Sequence, residues 1–356
     1  METIHMIWII GAFFLALAVT FITTPVAKSF AYKVGAIDVP KDNRRMHTKP
    51  IPRLGGLAIF LGFFVSIMVF SYDFMNTQLR GMLVGAVIIV ALGIFDDSLA
   101  LKPAPKFLVQ LVAAIVPVAC GVRIERFPNF FGQAAYIELN LVLQYIVSII
   151  WILIILNSVN LIDGLDGLAV GVSAIMTICV LAILILLHSP TVAVIAAALA
   201  GSCLGFIPYN VNPAKLFMGD TGAMFIGYIL ANLSILGLFK AYAIIAFAVP
   251  ILIFGLPIFD MAFAAIRRIL HKQSPFKGDR GHLHHKLIDL GFSQKQAVAI
   301  LYATSAILGL SAVLISGEGF VKAIVVIVSA FVIVLIGSLL MYHKKKISEE
   351  NENDNE

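Results

Sequence analysis

Apolar runs long enough to cross a bilayer recur along this chain from one end to the other, and that recurrence limits the fold more than any motif does. About twenty apolar residues span a membrane as a helix. On that ruler the sequence carries eleven runs, at roughly 4–24, 54–72, 81–95, 105–122, 139–157, 168–187, 191–209, 221–238, 242–263, 297–316 and 320–342. With 60% hydrophobic and 13% charged residues over 356 positions, too little polar surface remains for a soluble globule. The expected fold is all-α, a polytopic integral membrane protein of about 11 transmembrane helices. It forms one domain over 1–346, followed at 347–356 by a polar, acidic tail without apolar anchors that is expected to be disordered. The first run is too long for a signal-peptide core and lacks a basic flank or small-residue cleavage site, so it reads as a retained span. Cys120, Cys179 and Cys203 all fall inside apolar runs, which suits buried small residues rather than a disulfide framework or a thiol metal site.

Orientation follows from lysine and arginine, which favour cytoplasmic loops. Placing the N-terminus outside leaves only Arg80, Arg123, Arg126, Lys240 and Lys322 on the outer side, and the other 20 of the 25 basic residues inside. The C-terminus is then cytoplasmic. The same assignment, made without reference to acids, puts Asp96, Asp97, Asp163, Asp166 and Asp220 at the cytoplasmic ends of their helices. A carboxylate in hydrocarbon costs roughly 3 kcal/mol even on the lenient insertion scale, so acids there are functional candidates. The net charge of +5 thus conceals a basic inner surface around a group of carboxylates, which suits anionic head groups and phosphorylated substrates rather than nucleic acid.

Four cytoplasmic motifs carry the chemistry. In Asn157-Ser-Val-Asn160-Leu-Ile-Asp163-Gly164-Leu165-Asp166-Gly167, steps of three keep the amides and acids near one helix face. Such oxygens fit a hard cation or a nucleotide, since Mg2+ takes one or two carboxylates and completes its shell with water and phosphate; the same residues also serve as a capping and turn motif. Asp96 and Asp97 point about 100° apart on a helix, so one faces a site while the other orients it or a basic partner. Lys106, nine residues on, either neutralises a phosphate or anchors its helix. In Phe217-Met-Gly-Asp220-Thr-Gly222, Asp220 reads as an N-cap or a cation ligand, and Phe217 as an interfacial anchor or a base-stacking plane. The longest inner loop holds Arg280-Gly-His282-Leu-His284-His285, suited to phosphate and sugar oxygens more than to a transition metal, because no cysteine or Glu-x-x-His partner accompanies it. Asp260 is read as a salt-bridge partner of Arg267 and Arg268, and the basic stretch from Arg44 to Arg53, ahead of Gly55 and Gly56, as a phosphate-binding edge that does not match a P-loop.

Taken together and in this order, H-T-K-P-I-P-R-L-G-G, F-D-D, N-S-V-N-L-I-D-G-L-D-G, F-M-G-D-T-G and G-H-L-H-H resemble the polyprenyl-phosphate N-acetylhexosamine-1-phosphate transferases over nearly the whole chain. The His-Leu-His-His order is similar to the N-acetylglucosamine branch; the muramoyl-pentapeptide branch typically has three consecutive histidines. The resemblance implies transfer of GlcNAc-1-phosphate from UDP-GlcNAc, or another UDP-N-acetylhexosamine, to undecaprenyl phosphate, with release of UMP. It implies Mg2+, with Mn2+ as a substitute, held by Asp220 and Asn160. Asp96, Asp97, Asp163 and Lys106 would be catalytic. Asn157, Gly164, Leu165, Asp166, Phe217, Arg280, His282, His284 and His285 would bind substrate. A bacterial plasma-membrane location, teichoic-acid linkage synthesis and a homodimer complete the expectation. The resemblance implies that Asp96 or Asp97 orients or deprotonates the lipid phosphate; phosphoryl transfer between anions asks mainly for positioning and charge neutralisation, and because a lipid phosphate is already largely ionised a dedicated base is less necessary than the adjacent acids suggest. The readings set against it are a muramoyl-pentapeptide transferase, an ion-coupled transporter and a purely structural scaffold. Transporters place their acids near the bilayer midplane and often repeat their halves, and no repeat is visible here.

Overall fold

The structure, a computed structural model, describes residues 3–40, 50–71, 75–129, 136–240, 243–271 and 281–316, together with residue 334. Twelve α-helices make up these segments: α1 (Thr3–Val34), α2 (Gly55–Phe70), α3 (Thr77–Leu99), α4 (Pro103–Ala119), α5 (Leu141–Leu161), α6 (Leu168–Leu186), α7 (Pro190–Asn210), α8 (Gly219–Leu236), α9 (Ala243–Ile253), α10 (Gly255–Leu270), α11 (Leu283–Asp289) and α12 (Gln294–Ser316). Two small antiparallel ribbons interrupt them, one pairing Ile37–Asp38 with Ile51–Pro52 and one pairing Arg126–Pro128 with Tyr136–Glu138. The protein is an all-α polytopic membrane protein. Cys120, Cys179 and Cys203 are free thiols.

Among the described residues seven helices, α1, α3, α5, α6, α7, α8 and α12, are long and apolar enough to span a membrane. The run at 242–263 is not one straight span. It is split into α9 and α10, which meet at 78°; Pro250 and Pro257 flank the break and Pro257 has no N–H to continue the ladder, which explains the kink. Counting that pair as one span gives eight. The runs at 54–72 and 105–122 form the shorter helices α2 and α4, of 16 and 17 residues. The eleventh run and the tail lie outside the described residues, so the described spans fall short of the eleven runs. Helix α1 overshoots its apolar run by ten residues, ending at Val34.

Helix α8 is the axis of the bundle. Every residue of it except Asp220 is buried, and it packs against α2, α3, α5, α6 and α7. Glycines permit that closeness. A Cβ on Gly93 of α3 would strike the Thr221 backbone, and one on Gly56 of α2 would strike the Gly222 backbone. Because backbone, unlike a flexible side chain, cannot give way, these positions hold three helices in van der Waals contact at the end where Asp220 emerges. Overpacking a tight core costs about 1–3 kcal/mol. Gly93→Ala should therefore lower the melting temperature of the detergent-solubilised protein by several degrees, read by thermal-shift fluorescence, and unchanged melting would contradict the close α3–α8 contact.

Candidate active site

The acids expected from the sequence gather at one end of the bundle, where α3 and α5 finish and α4, α6 and α8 begin. Asp97 is the innermost. Its side chain is fully buried and accepts the N–H of Asp220 (3.0 Å), the N–H of Thr221 (3.0 Å) and the hydroxyl of Thr221 (2.7 Å). It thereby satisfies donors that every helix start leaves orphaned and sits at the positive end of the α8 dipole. Gly219, at φ +72°, makes the turn possible, since a side chain there would also collide with the Arg53 carbonyl and the Asp97 carboxylate. Asp220 is therefore not the N-cap; Met218 holds that position, Asp220 lies in the first turn, and the capping carboxylate arrives from α3.

Asp220 points outward into a set of donors. Lys106 Nζ lies 3.0 Å from its Oδ1 and also pairs with Asp96, and Asn160 Nδ2 donates to the same Oδ1 at 2.8 Å. Arg53 reaches three acids, with Nε 3.3 Å from Asp97 and terminal nitrogens 3.7 Å from Asp220 and 3.8 Å from Asp38. Burial disfavours the guanidinium charge, but Asp97, Asp220 and Asp38 outweigh it and hold Arg53 above its ordinary pKa. The loop bearing Arg53 is pinned by main-chain bonds: Gly55 and Gly56 donate to the Phe217 and Met218 carbonyls, and Phe217 donates to Pro52. Asp96 accepts the Leu101 N–H as well as pairing with Lys106.

Helix α5 ends at Leu161, so Asp163 and Asp166 lie in the turn beyond it and not on a continuous helical stripe with Asn157 and Asn160. Asn157 donates to Gln110 Oε1 and to its own helix, a half-buried link between α5 and α4. Asp163 accepts no hydrogen bond among the described residues. Burial, then the charges of Asp220 and Asp97, push its pKa up to about 7 against the opposing pull of Arg53. Asp166 is held by Asn212 (2.9 Å) and the Ala214 N–H (3.0 Å), while Gly167 bonds both Asn210 and the Tyr302 hydroxyl. Leu165, within this turn, is buried, and Phe217 is half-buried.

The histidine motif approaches the same turn. A Cβ on Gly164 would overlap the His284 ring, so only glycine admits that approach. His282 and His284 stack with centroids 5.8 Å apart, and His284 and His285 lie at 4.3 Å. Arg280 lies outside the described residues. Asp260 does not pair with Arg267 or Arg268: it takes the His282 Nδ1 hydrogen at 2.8 Å and the Leu283 N–H at 2.7 Å, while Arg267 donates to the Gly281 carbonyl. Among the described residues, no three His, Cys, Asp or Glu side chains are placed to hold a metal ion. The oxygen donors around Asp220 and Asn160 fit a hard cation that draws most of its shell from phosphate and water.

Residues the sequence reading passed over complete the site: Asp38, Gln110, Asn210, Asn212, Thr221 and Tyr302. Gln110, a polar residue inside an apolar run, was the one with a readable signal.

Comparison with known proteins bears on this arrangement. The model of glycosyl transferase family 4 matches residues 79–238, which run from α3 through α8. A Bacillus subtilis protein named "Probable undecaprenyl-phosphate N-acetylglucosaminyl 1-phosphate transferase" is 41% identical over 337 residues, covering 93% of this chain and 90% of that protein. The chain belongs to the polyprenyl-phosphate N-acetylhexosamine-1-phosphate transferase family. More distant members include a Mycobacterium tuberculosis decaprenyl-phosphate N-acetylglucosaminephosphotransferase, 31% identical over 314 residues (81% of this chain, 77% of that protein), and a Thermotoga maritima undecaprenyl-phosphate alpha-N-acetylglucosaminyl 1-phosphate transferase, 27% identical over 270 residues (75% and 78%). As a family member this protein is a membrane-embedded transferase acting on a polyprenyl phosphate.

Burial, and next the neighbouring His285, push the pKa of His284 down to about 3. The unfolded chain takes up that proton near pH 6.5 and the folded one does not, so the stability contributed by neutral His284 is present above pH 6.5 and is lost as pH falls toward 3. The wild-type melting temperature should fall more steeply over this window than that of His284→Gln; parallel curves would refute the assignment.

Proposed function

We propose that the protein transfers GlcNAc-1-phosphate from UDP-GlcNAc to undecaprenyl phosphate, giving undecaprenyl-diphosphate-GlcNAc and UMP, at the cytoplasmic face of a bacterial plasma membrane with the N-terminus outside and the C-terminus inside. The observation that carries this reading is the convergence of Asp96, Asp163 and Asp220 with Lys106 and Arg53 at one end of the bundle. Membership of the family supplies the reaction class. The His-Leu-His-His order supports N-acetylglucosamine over the muramoyl pentapeptide, and teichoic-acid linkage synthesis is the context we favour.

The chemistry asks for two polyanions to meet, and this chain provides countercharge at fixed places. Lys106, on the first turn of α4, is positioned to neutralise a phosphate once it leaves Asp220, while Asp96 keeps the ammonium aimed at the site. Asp97, with both oxygens committed to α8, positions Asp220 and is not free to remove a proton. Asp220 and Asn160 would hold Mg2+, or Mn2+ in its place, which when bound would offset charge on the diphosphate. Gly164, Leu165, Asp166 and Phe217 frame the uridine end, and His282, His284, His285 and Arg280 the sugar and phosphates.

An ion-coupled transporter would need its acids near the bilayer midplane, and these stand at helix ends. The deciding experiment incubates the purified protein with radiolabelled UDP-GlcNAc and undecaprenyl phosphate. A labelled lipid product and stoichiometric UMP are expected, in preference over the UDP-muramoyl-pentapeptide; preference for the pentapeptide would overturn the substrate, and no UMP would overturn the reaction. Losing a preorganised charge contact at a reacting phosphate typically costs on the order of 100–1,000-fold in kcat, the fall expected for Asp220→Asn and Lys106→Gln. Because burial and the charges of Asp220 and Asp97 push the Asp163 carboxyl up to about 7, Mg2+ binding at that pH should release protons by lowering its pKa. Calorimetry in buffers of different ionisation enthalpy should show that release in the wild type and a smaller one in Asp163→Asn.

A further inference from the structure

Outside the acid cluster, a second buried polar group lies in the corner between α10 and α11, and it includes Asp260, a residue with no role so far. Helix α10 turns a stripe of Leu256, Asp260, Ala264 and Arg268 inward, each four residues from the next. Asp260 and Arg268 are both buried, and so are His282 and His284. A carboxylate enclosed this way must be fully satisfied or it is costly, and Asp260 is satisfied by the histidine segment alone: Oδ2 by His282 Nδ1 at 2.8 Å, Oδ1 by the Leu283 N–H at 2.7 Å. One acid thus grips both the ring of His282 and the backbone that starts α11. Arg267 on the Gly281 carbonyl (2.8 Å) and Lys286 over the Phe263 ring (4.3 Å) flank the grip.

The partners dictate a tautomer. A carboxylate only accepts, so His282 Nδ1 carries hydrogen; an arginine only donates, and Arg268 lies 3.5 Å from Nε2, so Nε2 keeps its lone pair. Orientation then passes along the stack, from His282 to His284 at 5.8 Å and 8° between planes, and from His284 to the Gly164 turn that carries Asp163.

We propose that Asp260 is a positioning residue of the transferase: by fixing the Nδ1–H form of His282 and the start of α11, it seats the histidine segment against the Gly164 turn. Asp260 itself touches none of the acid cluster's cationic partners. Its kinetic consequence rests on the function proposed above; the tautomer does not.

The test uses the full chain in nanodiscs with 15N-labelled histidine, His282 being assigned by the signals lost in His282→Gln. Wild-type protein at pH 8 should show His282 protonated at Nδ1 and bare at Nε2; the reverse pattern, or averaged signals, overturns the proposal whatever the variants do. In Asp260→Asn the amide oxygen still serves Leu283, so the amide N–H₂ faces Nδ1 and the proton should move to Nε2. Orienting partners of this kind are worth roughly 10–100-fold in activity, and that fall in kcat is expected for Asp260→Asn with UDP-GlcNAc and undecaprenyl phosphate. In a His282→Ala background the same change should cost less than about twofold, because coupled residues are not additive. Independent, multiplying effects of the two substitutions would reduce Asp260 to a packing role and sink the inference. Transferase inactivity of the wild type, with the expected tautomer present, would fault the function and leave the geometry standing.

Discussion

One end of this bundle depends on one buried anion, the Asp97 carboxylate, set against the first N–H groups of α8. Charge that deep is destabilising unless several donors meet it. Here two backbone N–H groups, the Thr221 hydroxyl and Arg53 all do. The exchange runs both ways, because α8 begins between buried residues and its orphan donors at Asp220 and Thr221 are met by Asp97. With α8 held by α3, the loop at Arg53 held by α8 through Phe217 and Met218, and Lys106 held by Asp96, the orientation of Asp220 is decided by three other segments before any ligand is considered.

Neighbouring acids consequently have different surroundings. Asp96 and Asp97 are adjacent in sequence, yet one pairs with a half-buried lysine and the other is sealed in a helix cap. Asp163 stands without a hydrogen-bond donor among the described residues, and Asp166 is fastened into a loop by Asn212 and Ala214. The divergence follows from tertiary placement, since the side chains are chemically alike.

Much of this was readable in advance, for a physical reason. Hydrocarbon penalises charge so heavily that a few acids at the ends of apolar runs stand out, and the helices do bring Asp96, Asp97, Asp163 and Asp220 to one end. What the sequence concealed were partners made by folding: Thr221 beneath Asp97, Asp38 beside Arg53, Asn212 against Asp166. Asp260 shows the limit of reading by proximity. Arg267 and Arg268 lie seven and eight residues on, which at 1.5 Å per residue is about 10–12 Å along a helix and too far for a direct pair. Its partner instead is His282, 22 residues away in the chain. Pro250, Gly255 and Pro257 did announce the break between α9 and α10, but hydropathy alone averages over a bend.

Of the seven unbroken spanning helices among the described residues, α8 is also the least apolar and the most enclosed, with a mean hydropathy of 1.2 where each of the other six reaches at least 2.0. Such a segment has a weak claim on lipid by itself. Its neighbours α2, α3, α5, α6 and α7 all precede it in the chain. During synthesis α8 leaves the ribosome only after these five helices have been made, so it can enter the bilayer by docking onto protein already inserted, and the order of the genetic message supplies what its own hydrophobicity lacks.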